Sequence, residues 1–234
     1  MSCLERSSAI CALCGEDVPT ILVLSILSSN NIGLDLRPPE MESSLVHHII
    51  SCCPGCAYCS TDPSKASPIA REVVGTREYQ VMSRTRKYPK VANYWRCFSL
   101  IAEREGDWAE AARRMLSAAW VCDDGDQERW AEAGRRCREK TLQLLNMARL
   151  LGQPLFEEED GHPPSEECET AVAADLLRRL GLFREARHLV TSRLDSITDE
   201  TIRKVLERQL EFIGKEDTEP QLLFEIRYED FEDF

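Results

Sequence analysis

The sequence predicts an α+β protein that is mostly α. Three observations carry this. Two Cys-x-x-Cys pairs, Cys11/Cys14 and Cys53/Cys56, lie in an N-terminal stretch of β-branched runs and turn residues. Near residue 65 the composition shifts to long amphipathic patterns rich in Ala, Leu, Arg and Glu. A turn reading glycine, any residue, aromatic, two residues, alanine occurs twice, at Gly106–Ala111 and Gly181–Ala186. These divide the chain into a zinc-ribbon-like four-cysteine segment over 1–65, a helical domain over 66–215 and an acidic, aromatic tail over 216–234.

In the first segment Thr20–Leu27 is a dense apolar run that reads as a strand and ends in the polar loop Ser28–Gly33. Asp35–Pro39 reads as extended, because proline fixes its own φ and restricts the residue before it. Leu45–Ile50 is a second candidate strand leading into the second cysteine pair, and Thr61–Pro68 is the linker.

Beyond it, Ile69–Arg86 has helical spacing. Val91–Arg104, Gly106–Asp107 and Trp108–Val121 form a helix, a turn and a helix. Trp95, Phe98 and Ala102 make one stripe, and Ala111, Met115 and Ala118 make the stripe that faces it. Asp126–Leu151 is a third long helix stopped by Gly152-Gln153-Pro154. Glu157–Ser165 reads as a loop. Glu166–Leu180, Gly181 and Leu182–Leu194 repeat the helix–turn–helix plan, and Asp199–Ile213 is a last helix that Thr198 or Asp199 can cap. Tyr228–Phe234 reads as a mobile acidic and aromatic tail. The doubled turn is that of a tetratricopeptide-like array: glycine reverses the backbone and alanine lets two helices approach closely.

The chain has 234 residues, 43% hydrophobic and 30% charged, with a net charge of −12. The apolar stretches Pro19–Leu27 and Leu45–Ile50 are too short to cross a bilayer, and no basic-then-apolar signal opens the chain, so a cytoplasmic protein is expected. An acidic surface repels phosphate backbones. The basic run Arg84–Lys90 reads as a solvated helix end. Residues 1–67 contain only Arg6, Arg37 and Lys65 as basic groups, which counts against nucleic acid there.

An odd total of 11 cysteines fits poorly with a pure disulfide framework. Closely spaced pairs in a reducing compartment point to metal binding. Each Cys-x-x-Cys turn aims two thiolates at one ion, and two turns complete a tetrahedral shell of four cysteines, the structural zinc pattern. The 38 residues between the pairs allow a strand excursion that returns, as in a zinc ribbon. The ligand set is therefore Cys11, Cys14, Cys53 and Cys56 around one structural Zn2+, with Cys59 the first substitute. On a strand, at most one of His47 and His48 would approach the ion. Cys97, Cys122, Cys137 and Cys168 read as buried small apolar side chains.

The chain resembles a bacterial family of uncharacterised proteins with an N-terminal zinc-ribbon-like segment and C-terminal tetratricopeptide-like helices. The resemblance rests on Cys11-Ala-Leu-Cys14-Gly15, Asp35-Leu-Arg-Pro38, Cys53-Pro-Gly-Cys56-Ala-Tyr58, Leu116-Ser-Ala-Ala-Trp120 and Glu211–Thr218. It implies a zinc site on Cys11, Cys14, Cys53 and Cys56, and it implies no activity. This chain departs from the family in having Ala57 where glycine is usual, and in its extra Cys52 and Cys59.

No phosphate loop, nucleophile elbow or paired-histidine zinc motif is present in the sequence, so a non-enzyme is expected. The acidic group Glu103, Glu105, Asp107 and Glu110 reads as a solvated face. The expected function is a zinc-binding protein–protein interaction module. Nucleic-acid binding through the ribbon and thiol redox chemistry at Cys53/Cys56 are the alternatives.

Overall fold

Two β hairpins, each tipped by one Cys-x-x-Cys turn, begin the described part of the chain. The computed structural model describes residues 3–25, 31–38, 44–156 and 165–224. Strand β1, Cys3–Ile10, pairs antiparallel with β2, Asp17–Ser25, and closes at Ile10 opposite Asp17 around residues 11–16. β2 is the strand expected over Thr20–Leu27, whose last two residues lie outside the described ones. β1 is polar along Glu5-Arg-Ser-Ser8 and has no apolar alternation that would reveal it. The second hairpin pairs β3, Ser51–Cys52, with β4, Cys59–Ser60.

Eight α-helices follow among the described residues. They are α1 (Ala70–Gly75), α2 (Arg77–Arg84), α3 (Lys90–Glu105), α4 (Trp108–Asp123) and α5 (Gln127–Leu150). After them come α6 (Ser165–Arg179), α7 (Phe183–Arg193) and α8 (Glu200–Gly214). The α+β, mostly α class is the observed one. None of the described helices is long and apolar enough to cross a membrane.

Three expected elements take a different form. Leu45–Ile50 is not a strand: Ser44–His47 is a 3-10 turn, and the amides of His48 and Ile49 both bond to the Leu45 carbonyl. Val46 and Ile50, four residues apart, turn inward together, and the Trp95 indole N–H donates to the Val46 carbonyl at 2.8 Å. That spacing suits a helical turn rather than the two-residue period of a strand. Ile69–Arg86 is two helices, because Thr76 is extended at φ −71°, ψ 149° and its hydroxyl caps α2 by accepting from the Tyr79 amide. Asp35–Pro38 is not simply extended. Leu36 N–H bonds to the Gly33 carbonyl, Gly33 N–H bonds to the Arg37 carbonyl, and Leu36 sits at φ 60°. Ser28–Asn30, Pro39, most of Glu157–Ser165 and Tyr228–Phe234 lie outside the described residues.

The α3–α4 hairpin packs as its stripes predict. Trp95, Phe98, Ala102, Ala111, Met115 and Ala118 are all buried. Gly106 ends α3 at φ 79°, a conformation that glycine adopts without penalty, and Asp107 caps α4 through the Glu110 amide. Gln153 clamps this turn: its Nε2 donates to the Gly106 carbonyl and its Oε1 accepts from the Trp108 amide. The second turn matches at Gly181 (φ 75°) and at Ala186, which is fully buried. Asp199 caps α8 by accepting from the Ile202 amide.

Each of three cores joins the N-terminal segment to helices. Val46 and Ile50 pack with Trp95, Phe98 and Met115. Cys11, Leu13, Val18 and Tyr58 pack with Val73, Tyr79, Leu100 and Ile101. Leu34 packs among Ala171, Val190, Ile202 and Phe212. The last contact is fastened by Gln209, whose amide nitrogen donates to the carbonyls of Leu34 and Ala171 at 2.6 and 3.0 Å. Beyond α8 the chain returns, pairing Leu222 with Gly33.

Candidate metal centre

The two hairpin tips are built alike. In the first, Cys11 N–H bonds to the Glu16 carbonyl and Gly15 N–H to the Cys11 carbonyl, at 2.8 and 2.9 Å. In the second, Cys53 N–H bonds to the Tyr58 carbonyl and Ala57 N–H to the Cys53 carbonyl, again at 2.8 and 2.9 Å. Both turns need a left-handed residue after the second cysteine. Gly15 holds φ 79° and Ala57 holds φ 64°.

The tips meet face to face. The sulfurs of Cys11, Cys14, Cys53 and Cys56 all lie within 4.8 Å of one another. Across the tips, Cys11 and Cys56 are 3.7 Å apart and Cys14 and Cys53 are 3.4 Å apart. A four-coordinate ion about 2.3 Å from each thiolate implies sulfur–sulfur edges of about 3.8 Å. The cluster therefore has the dimensions and the soft donor set to hold one metal ion. The tips are in close contact at Gly55, where a Cβ would stand 3.4 Å from the Cys14 sulfur and 3.4 Å from the Glu16 Cβ.

Cys11 and Cys53 are buried, Cys56 is half-buried and Cys14 is exposed. Burial pushes the Cys53 and Cys56 thiols up from their ordinary value. The Glu16 amide, first, and the Cys53 thiol, second, pull the Cys14 thiol down. The amide of Tyr58 does for Cys56 what that of Glu16 does for Cys14, against the stronger effect of burial. Four thiols around one point cannot all ionise without a cation, so metal binding here displaces protons and is coupled to pH. With four sulfurs in the shell, a tetrahedral ion has no open position for water or substrate.

The four expected ligands are the four brought together. Cys59 lies outside the cluster. It is fully buried on β4, with its thiol on the Ala57 carbonyl at 3.4 Å and its amide on the Tyr79 hydroxyl. His47 also turns away and meets Asp124 Oδ2 at 2.7 Å. A supporting group escaped the sequence reading. The Ala57 carbonyl accepts from Cys52, Cys59 and the Tyr79 hydroxyl, tying the second tip to α2. A backbone carbonyl leaves no mark in the sequence, so no signal there could have found it.

Away from the tips, the acidic group around Gly106 is engaged in ion pairs and a cap. Glu103 meets Lys140, Asp107 caps α4, and Glu110 meets both Arg113 and Arg114. A polar cleft elsewhere is lined by Asp35, Arg37, Asp123, Asp124, Asp175 and Arg179. There Arg37 pairs with Asp124, Arg138 and Arg179 pair with Asp123, and the Trp120 indole donates to Asp35 at 2.5 Å. Burial, then the neighbouring Asp175, pushes the Asp35 carboxyl up. The Arg37 and Asp35 contacts join the Asp-Leu-Arg-Pro segment to the C-terminal end of α4, and the Asp123 pairs join α4 to α5 and α6.

No protein-family model, no curated protein and no solved structure matches the chain.

Proposed function

We propose that this chain is a non-catalytic interaction scaffold whose N-terminal hairpins are held by one structural zinc ion on Cys11, Cys14, Cys53 and Cys56. The observation that carries the reading is the closed, all-sulfur shell at two matching hairpin tips. Thiolates favour zinc among the common divalent ions, and four sulfurs within 4.8 Å of one another suit an ion with no directional preference of its own. The role of the ion is to fix two short hairpins that bury little surface by themselves.

Support for a protein partner comes from the β1–β2 hairpin. Its tip enters the core through Val18, while Leu4, Leu22 and Leu24 are 38%, 49% and 58% exposed. Leu22 and Leu24 alternate along β2 and share one face. Exposed apolar side chains on a short sheet are the usual material of a contact surface. The paired helical turns at Gly106 and Gly181 support a tetratricopeptide-like array as the rest of the scaffold. Membership of the uncharacterised bacterial family, and a cytoplasmic location, belong to the same proposal.

Nucleic acid is the weaker reading. Of the basic groups in the N-terminal segment, Arg37 is engaged by Asp124 and Lys65 by Asp62.

Elemental analysis of the purified protein tests the zinc. One zinc per chain is expected, lost in Cys11→Ser and Cys56→Ser and kept in Cys59→Ser. Retention in Cys56→Ser overturns the ligand set. Crosslinking in native cells, repeated with Leu22→Asp/Leu24→Asp that still holds zinc, tests the scaffold. A specific partner lost in that variant supports the role, and a monomer with no specific crosslink refutes it.

A further inference from the structure

The second hairpin carries two cysteines that the metal shell does not use. Cys52 on β3 stands directly opposite Cys59 on β4. The ladder bond beside them runs from Cys53 N–H to the Tyr58 carbonyl, and the Cys59 amide donates to the Tyr79 hydroxyl at 3.0 Å instead of across the strands. Cys52 and Cys59 therefore form the non-hydrogen-bonded kind of antiparallel pair, in which the Cα atoms are about 4.5 Å apart. A disulfide needs a Cα separation of about 4.4 to 6.8 Å, so this pair can be bridged without backbone movement.

The thiols already converge. Both sulfurs reach the same acceptor, the Ala57 carbonyl, at 3.5 Å from Cys52 and 3.4 Å from Cys59. Their exposures differ. Cys52 is half-buried with Lys90 nearby, whereas Cys59 is fully buried between Tyr79 and Cys97. One thiol is reachable from solvent and its partner waits behind it.

We infer that Cys52 and Cys59 are a redox-active dithiol, with Cys52 the entry thiol and Cys59 the resolving thiol, which exchanges with small disulfides while the four ligand cysteines stay with their metal. The oxidant is a low-molecular-weight disulfide. Cys52, having given its proton to solvent, attacks one sulfur of that disulfide. The new Sγ–S bond forms, the S–S bond of the oxidant breaks, and one small thiolate leaves with the electron pair and is protonated. Cys59, deprotonated in turn, attacks the Cys52 sulfur and displaces the second small thiolate. The two cysteines lose two electrons and two protons, and the small disulfide is reduced to two thiols. The bridge closes the base of the Cys53–Cys56 turn and leaves its ligands in place. Thiol redox chemistry, weighed at Cys53/Cys56 only as an alternative, is thereby placed on their neighbours. The metal's staying in place rests on the proposed zinc site.

The test uses the full chain loaded with zinc and treated with excess oxidised glutathione. Intact mass after alkylation and zinc content are followed together. In the unaltered protein the expected result is loss of two hydrogens, no retained glutathione and unchanged zinc. Cys59→Ser is expected to stall with one glutathione on Cys52. Cys52→Ser is expected to stay reduced, and Cys97→Ser to behave like the parent. The inference is overturned if oxidation proceeds only as zinc is released, if Cys59→Ser still loses two hydrogens, or if the bridge depends on Cys97. It is also overturned if the parent keeps all its thiols while zinc is retained. Zinc content alone reports on the four-cysteine shell, so failure of the bridge and failure of the metal site are read separately.

Discussion

At the left-handed position after the second cysteine the two hairpin tips differ by one methyl group, and that difference has opposite consequences. Gly15 sits at φ 79° with nothing within 4 Å of an added Cβ. Gly15→Ala therefore meets no neighbour, and its cost is conformational only. The left-handed region costs an L-residue about 1–2 kcal/mol. Alanine also lowers the entropy of the unfolded chain, which returns about 0.4–1 kcal/mol. The expected net loss lies between zero and about 1.6 kcal/mol, centred near ~0.8 kcal/mol. Ala57 holds the matching position at φ 64° with its methyl already present. Ala57→Gly relieves the same strain, gives up the unfolded-state gain, and loses about 0.4 kcal/mol of methyl burial at a half-buried site. Its expected effect runs from about 0.4 kcal/mol destabilising to about 1.2 kcal/mol stabilising, centred near ~0.4 kcal/mol stabilising. Urea melts at fixed zinc concentration measure both. Ala57→Gly destabilised by about 1 kcal/mol or more, or Gly15→Ala stabilised by as much, would refute the equivalence of the two tips.

Three further outcomes are expected. Burial would raise the Asp124 carboxyl, but hydrogen bonds from His47 and Arg37 outweigh it and hold it below the usual carboxylate range. Its stabilisation is thus complete above the unfolded value, near pH ~4, and is lost as pH falls through the lower folded value. Melting temperatures of the parent and Asp124→Asn should differ at neutral pH and converge in acid, and a constant gap would count against the pairing. Gln209→Leu strips the buried Leu34 and Ala171 carbonyls of their donor and should cost about 2 kcal/mol in a denaturant melt, whereas a neutral result would dissolve the proposed fastening of the N-terminal segment to α6 and α8. Zinc removal by a chelator should loosen the hairpins, speeding tryptic cleavage after Lys65 and Arg71. Most of the helical circular dichroism should persist, since only one of the three cores contains the ligands, and global unfolding would contradict that division.

The metal shell was legible because Cys-x-x-Cys is a local device. The spacing and the turn that goes with it are set within a single hairpin tip, and the hairpins need only meet. The helical hairpins were legible for the same reason: Gly106 and Gly181 reverse the chain by their own φ, and Asp199 caps its own helix. The choice of Cys56 over Cys59 depended on strand register. Antiparallel pairing puts Cys59 across from Cys52 and outside the four-sulfur cluster, and cysteine spacing alone allows either.

What the sequence by itself determined is therefore the local chemistry: the four sulfurs, the amphipathic stripes and the chain reversals. Tertiary structure alone decided which way ambiguous segments turned. Leu45–Ile50 is a helical turn because Trp95, 49 residues beyond Val46, takes the Val46 carbonyl. Asp35 folds back because Trp120, 85 residues on, takes its carboxylate. Short apolar runs have nearly equal local free energy as strand or turn, so one distant hydrogen bond and a buried side chain are enough to select between them.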